Sequence, residues 1–404
     1  MKVFQKKGLK LVSVLLITLF ISGLIAGCGG GETTETLSAP VKLGLLVPYT
    51  GVFASNGYDL TNGFELYMEE VGWQAGGREI QLIKEDSEMN AQVALQKARR
   101  LVEGEEVDIM TGVVSSTVAY ALRDYIVGNQ VPFIIANAGA AGLTGEKGSR
   151  YIFRVSFANG QYEYPMGDYA YNKLMLRKVV VMAPDYAAGL EKAKGFMDGF
   201  KENGGEIIQE IYPKLGTTDY APYLAQVDKE ADAVWVHFSG TDSIKFVNQY
   251  ADYGLKDKLP LLSSGDLVDE SSLPQQGDAA IGIISSHHYS AALDNPQNKE
   301  FVANYKDKYD EEPCQFSYQG YLAAKVIVDA LEALNGDVND TEKLLLAIKN
   351  VQFNAPGGPF TFHSKTQNVI FNTYIQKTEK IAGKLVNTVI DTIPDADNRW
   401  NLNN

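Results

Sequence analysis

The chain has 404 residues, 45% of them hydrophobic, with 36 Lys and Arg against 50 Asp and Glu and a net charge of -14. That acidity excludes nucleic acid and anionic lipid surfaces as partners. With two cysteines, Cys28 and Cys314, no disulfide framework can carry the fold, so stability must come from ordinary cores, and the chain is long enough for two of them.

Residues 1–10 carry Lys2, Lys6, Lys7 and Lys10 and no acid, and Leu11 to Ala26 is almost wholly apolar. A charged head, an apolar run and a small-residue exit spell a secretory signal over 1–27. The apolar run falls short of the roughly 20 residues of a membrane-spanning helix. The exit, Ile25-Ala26-Gly27-Cys28, resembles the lipobox of bacterial lipoproteins, which makes Cys28 the expected lipidation site and first mature residue. An acylated Cys with more than one chain would tether the protein stably to a membrane. Removal of 1–27 takes away four Lys and no acid, moving the net charge from -14 to -18. Residues 28–40, small and polar, are expected to be a flexible tether.

From Val41 onward short apolar runs alternate with amphipathic stretches, the pattern of an α/β protein with parallel sheets covered on both faces. Val41 to Pro48 is expected to be the first strand. Leu60, Phe64, Tyr67, Met68 and Val71 fall on one face of a helix. Strands are expected at 79–84, 107–114 and 131–137, with helices at 91–103 and 116–128. After 151–156 a second series begins, with strands at 178–183, 206–212, 231–238, 260–264 and 280–285. Helices lie between them at 189–203, 221–227 and 243–253. Helices near 297–309, 316–335 and 341–350 follow, then a strand-and-hairpin tail at 357–363, 369–377 and 384–392.

Several patterns spread over 41–393 resemble the leucine/isoleucine/valine-binding family of type I periplasmic binding proteins. In the first half they are Pro48-Tyr49-Thr50-Gly51 with Ala54-Ser55-Asn56-Gly57, Gly112 to Thr117, and Val131 to Ile134 followed by Asn137-Ala138-Gly139-Ala140. In the second half they are Asp185-Tyr186-Ala187-Ala188-Gly189 and the bracket of Asp232-Ala233-Val234 with Gly254-Leu255. The resemblance implies two doubly wound lobes joined by three crossovers, 41–157 with 286–365 and 158–285 with 366–404, and a solute bound between them. It also implies an ABC importer's solute-binding component with permease subunits as partners and a monomeric state, while the signal segment and lipobox make it exported, lipid-anchored to the outer face of the membrane or held in the periplasm. In open parallel sheets ligands sit beyond the carboxyl ends of the strands, where every loop quoted above is expected.

Within that frame Ser115 and Ser116 open a helix after a buried strand, where hydroxyls and first-turn N–H groups can hold a carboxylate; plain N-capping is the competing reading. Ala138 and Gly139 fall where the family holds the amino-acid backbone, with Gly in place of a Thr, or else form an ordinary turn. Tyr186 and Tyr49 are expected to wall the cleft, Asn56 lies in the first ligand loop, and Phe238 and Ser239 line the cleft from a loop of the second lobe. Asp266 either pairs with a solute ammonium or caps its own loop. In the second case the solute would be a simple or aromatic carboxylate or an amide. His287 and His288 should point to opposite sides of an extended chain, poor geometry for a shared metal, with His288 the candidate for solute contact.

Four His, a single Cys beyond the lipobox and no nucleophile-elbow, Walker or zinc-protease motif leave little for catalysis, cofactor or metal. A small-molecule solute, an amino acid, an amide or an aromatic carboxylate, is the expected ligand. The alternatives are a tethered sensor for a membrane receptor and an α/β enzyme, since fold does not fix function.

Overall fold

The computed structural model describes residues 39–396, and in them the alternating pattern resolves into two sheets. The signal segment and Cys28 lie outside the described residues. The first sheet contains β1 (Val41–Val47), β2 (Gln74–Ala75), β3 (Arg78–Asp86), β4 (Ile109–Gly112), β5 (Phe133–Ile135) and β6 (Ile152–Arg154). Their order is β2-β3-β1-β4-β5-β6, parallel throughout except for the two-residue β2. Helices α1 (Ala54–Glu70), α2 (Ala91–Arg99) and α3 (Ser116–Gly128) connect them. A parallel strand covered on both faces must be apolar along its length, and β1 is buried at every residue but Lys42. Leu60, Phe64, Tyr67 and Met68 form the buried stripe of α1.

The chain then crosses to α4 (Glu163–Asn172), β7 (Lys178–Met182), α5 (Ala187–Glu202), β8 (Glu206–Ile211), α6 (Ala221–Leu224), β9 (Ala233–Val236), α7 (Thr241–Asp252), β10 (Leu261–Ser264), α8 (Leu273–Gln276) and β11 (Ile284–His287). The parallel part of this second sheet runs β8-β7-β9-β10-β11. Both sheets therefore place their parallel strands second, first, third, fourth, fifth in chain order, and each has its switch point between the first and third strands.

Helices α9 (Pro296–Tyr309), α10 (Gln315–Ala333) and α11 (Thr341–Lys349) return to the first lobe. Phe301, Tyr305, Leu322, Ile327, Leu344 and Ile348 share a core with Leu43, Leu60 and Phe64. Cys314, at the N-cap of α10, is buried and unpaired. The chain ends in β12 (Gln352–Ala355), β13 (Gly358–Phe362), β14 (Val369–Ile381) and β15 (Lys384–Ala396). β14 pairs antiparallel with β11, β15 with β14, and the β12–β13 hairpin with the start of β14.

Two expectations need correction. The last parallel strand begins at Ile284 rather than Ala280, because Ala280 ends a short 3-10 turn and Gly282 takes a positive φ of 92°. Its residues Ser285, Ser286 and His287 are polar yet buried, so a hydrophobicity pattern placed the strand too early and missed its carboxyl end. His287 and His288 do not point apart: their ring centroids lie 4.5 Å from each other, since the strand stops at His287 and the chain bends.

Candidate functional site

The loops at the carboxyl ends of both sheets face one another and line a narrow cleft, drawn in to about 20 Å³, room for about one water molecule. From the first lobe come Phe53 and Asn56 after β1, Val114 and Ser116 after β4, Asn137 and Gly139 after β5, and Phe157 and Asn159 after β6. From the second come Tyr186, Ala188 and Lys192 after β7, His237 and Ser239 after β9, and Asp266 after β10; Phe316 closes the wall from α10. The lobes touch across the mouth. Asn56 Nδ2 donates to Ser239 Oγ at 3.1 Å, Thr241 N donates to Val52 O at 3.3 Å, and the Phe53 and Tyr186 rings stand 6.2 Å apart. Gly240, between Ser239 and Thr241, has φ 58°, and a Cβ there would sit 2.4 Å from Val52 O, so only glycine allows this approach.

On the first-lobe side the backbone turns sharply after β4. Val113 takes a φ of 49°, uncommon for a β-branched residue, and is held by its N–H to Leu46 O and its carbonyl to Ala138 N. The turn aims the start of α3 at the cavity. Ser115 is the N-cap, accepting from Val118 N at 3.4 Å, while Ser116 Oγ accepts from Asn159 Nδ2 at 3.1 Å and keeps its own proton to give. The N–H groups of the first turn have no acceptor within the helix. Gly139 is explained by its neighbour: a Cβ would lie 2.1 Å from Asn159 Oδ1, so the asparagine fills the space a threonine side chain would take.

Asn159 Nδ2 also donates to Glu191 Oε2 at 2.8 Å, and Glu191 further accepts from Tyr120 Oη at 2.6 Å and Ala141 N at 3.0 Å. One carboxylate on α5 is thus bound by three donors, all from the first-lobe side of the cleft, in charge-assisted bonds.

The second-lobe side is a buried ionic network. Lys192, 2% exposed, donates to Glu163 Oε1 at 2.9 Å, to Asp266 Oδ2 at 2.8 Å and to Tyr162 Oη. Those three acceptors use all three donors of an ammonium. Asp266 also accepts from Tyr162 Oη at 2.9 Å and, on its other oxygen, from Gln315 Nε2 at 3.1 Å. Burial alone would raise the Asp266 pKa, but the Lys192 ammonium and then His237 override it and hold the carboxyl well below its usual range. Glu163 is the opposite case: burial, only partly offset by Lys192, pushes it up to about 7. His237 is kept neutral because burial lowers its pKa more than Asp266 restores it.

Of the residues singled out in the sequence, Asn56, Ser116, Gly139, Tyr186, Ser239 and Asp266 meet at the cavity. The other five stand behind it. Tyr49 bonds Thr61 Oγ1 at 2.8 Å and packs on Tyr58; Ser115 is used as a cap; Ala138 is buried beneath the turn. Phe238 packs on Tyr220 and Phe246 in the second core, and His288 sits among Phe157, Tyr318 and Phe371 with Nε2 3.1 Å from Gln319 Nε2. Asp266 is not a plain loop cap, and its carboxylate is already paired inside the protein. Phe53, Asn137, Phe157, Asn159, Lys192, His237 and Phe316 were not anticipated. Lys192 alone carried a signal, a lysine in register with Ala188 and Phe196 on the buried face of α5. Among the described residues no group of His, Cys, Asp and Glu is placed to hold a metal ion.

Residues 40–383 match a family model described as periplasmic binding protein. Three solved structures are similar over most of the chain. An ABC transporter substrate-binding protein from Sphaerobacter thermophilus is 40% identical with a TM-score of 0.85, covering 89% of this chain and 99% of that one. A solute-binding protein of an R. palustris ABC transporter in complex with benzoate is 33% identical, TM-score 0.82, covering 88% and 98%. Another, from Rhodopseudomonas palustris BisB5 in complex with 3,4-dihydroxybenzoic acid, is 32% identical, TM-score 0.85, covering 89% and 99%.

Proposed function

The chain belongs to the periplasmic binding proteins, as a solute-binding protein of an ABC transporter and not an α/β enzyme, and from that premise we propose that it captures a small aromatic carboxylate between its lobes and delivers it to a membrane permease. The observation that carries this reading is the internal pairing of Asp266 with Lys192. An α-amino acid brings its own ammonium into the cleft and needs an acidic partner there. Here Asp266 already accepts from Lys192, Tyr162 and Gln315, so a second ammonium would be buried unpaired, at a cost of several kcal/mol.

A solute with a carboxylate and no ammonium avoids that cost. Its charge fits the Ser116 hydroxyl and the first-turn N–H groups of α3, where each charge-assisted bond contributes about 1.5–3 kcal/mol. Its ring would lie among Phe53, Phe157, Tyr186 and Phe316, which line the cleft and supply apolar area and aromatic faces once the lobes part to admit it. Two relatives hold aromatic acids of this kind.

The test is a melting-point panel on the purified mature protein, because a solute that binds only the folded state raises its stability, by about 2.7 kcal/mol at a hundredfold excess over Kd. Benzoate and hydroxybenzoates are expected to raise the melting point, and leucine, isoleucine and valine to leave it unmoved. Ser116→Ala should weaken benzoate binding about tenfold or more by calorimetry, a loss of about 1.4 kcal/mol. Stabilisation by leucine with none by benzoate would refute the aromatic reading.

The family places the protein outside the cytoplasm, and the finer location, a lipid anchor at Cys28, belongs to the same proposal. It is supported by the charged head, apolar run and Ile25-Ala26-Gly27-Cys28 exit. Metabolic labelling with a fatty acid should mark the wild type and not Cys28→Ser; equal labelling of both would remove the anchor.

A further inference from the structure

On the second-lobe wall of the cavity one buried polar atom has no partner in the protein. His237 follows the fully buried strand β9, is 2% exposed and lines the cavity. Its Nδ1 lies 2.8 Å from Ser264 Oγ and 3.5 Å from Asp266 Oδ2, while Nε2 has no hydrogen-bond partner. Buried polar atoms are almost always paired, and one that is not points to something missing from the picture.

The chemistry of the missing partner follows from the surroundings. The ring is neutral, since burial lowers its pKa. The Asp266 carboxylate beside Nδ1 favours the tautomer with its proton there, which leaves Nε2 as an acceptor. The same carboxylate repels an anionic group, so the solute's own carboxylate belongs at the opposite wall with Ser116. What this end can take is a neutral group that donates. A ring hydroxyl meets the requirement, and because it both gives and accepts it would pair with either tautomer.

We propose that His237 Nε2 receives a hydroxyl on the ring of the solute, making His237 a specificity-determining residue that favours hydroxylated aromatic carboxylates over benzoate. The inference rests on the aromatic-carboxylate reading and sharpens it. Benzoate would leave Nε2 buried and unpaired in the closed cleft, and a site built for a hydroxyl discriminates against the analogue lacking it for that reason.

Calorimetry with benzoate, 3-hydroxybenzoate and 4-hydroxybenzoate on the wild type, His237→Phe and His237→Gln tests it. In the wild type at least one hydroxybenzoate is expected to bind about tenfold or more tighter than benzoate. His237→Phe should reduce that ratio to within about threefold, and His237→Gln, which keeps an acceptor, should restore part of it. A ratio taken within one variant cancels any loss of folded protein. A wild-type ratio near one, or a ratio preserved in His237→Phe, overturns the inference; the second result would move the hydroxyl to Asn159 Oδ1, another buried side-chain atom of the cavity wall with no hydrogen-bond partner among the described residues. If no aromatic carboxylate binds the wild type, the underlying reading fails and the inference with it. Benzoate binding without a hydroxyl preference removes the inference alone.

Discussion

Lys192→Met is expected to destabilise the folded protein by about 3–5 kcal/mol, the range found when one partner of a buried ion pair is removed. The side chains of Lys192, Glu163 and Asp266 are 2%, 0% and 5% exposed, so water cannot replace the lost ammonium. Glu163 would keep one donor, Gly160 N at 2.9 Å, and Asp266 would keep Tyr162 and Gln315. Neither retains a cation in contact. Urea unfolding followed by tryptophan fluorescence reads this directly, because Trp235 in β9 is fully buried in the same lobe. Adding Asp266→Asn removes the orphaned charge and should recover a large part of the loss. A cost below about 1 kcal/mol for Lys192→Met, the range of exposed pairs, would contradict a buried network.

Glu163→Gln is expected to change the pH dependence of stability by an amount on the order of 3 kcal/mol between pH 5 and pH 8. Burial raises the folded-state pKa of Glu163 from 4.5 to about 7, with Lys192 opposing. Between those values the folded protein holds the proton and the unfolded chain releases it. Stability from this group is therefore full below about 4.5 and is lost as pH rises through about 7. The glutamine variant has no such proton, so its stability relative to the wild type should improve as the solution is made alkaline. Asp59 and Glu270, raised by burial to about 7 and about 8, act with the same sign, and the buried neutral histidines with the opposite one. Both kinds are present in both proteins and cancel in the difference. A difference flat from pH 5 to pH 8 would mean that Glu163 is ionised throughout.

The strand-end loops were legible in the sequence because the alternation of apolar runs and amphipathic helices is a local property. Once the strands are placed, the topology puts their carboxyl ends together. Ser116, Gly139 and Asp266 came with them. What each does there depends on residues distant in the chain, and that was not legible. Gly139 makes sense only with Asn159 above it, and Asp266 only with Lys192, 74 positions away. Lys192 shows the kind of clue that was present: a charge on the buried stripe of an amphipathic helix must have a partner, though the sequence does not name it. His237 shows the contrary, since one histidine after an apolar strand is compatible with any environment. Tyr49 and Phe238 were placed in the right loops but on the wrong side of the backbone, a distinction set by side-chain direction within a turn.

The shared strand order of the two sheets bears on how a solute lies between them. Architecture alone would offer two equivalent walls, each a row of loops at the carboxyl ends of parallel strands, and a molecule could enter either way round. The side chains remove that equivalence. One wall gives hydroxyl and backbone protons at the head of α3; the other holds a neutralised ammonium, an anion and an imidazole. On the proposed reading a solute with a carboxylate at one end and a neutral hydroxyl at the other would have one orientation, because turning it round would set its carboxylate against that of Asp266.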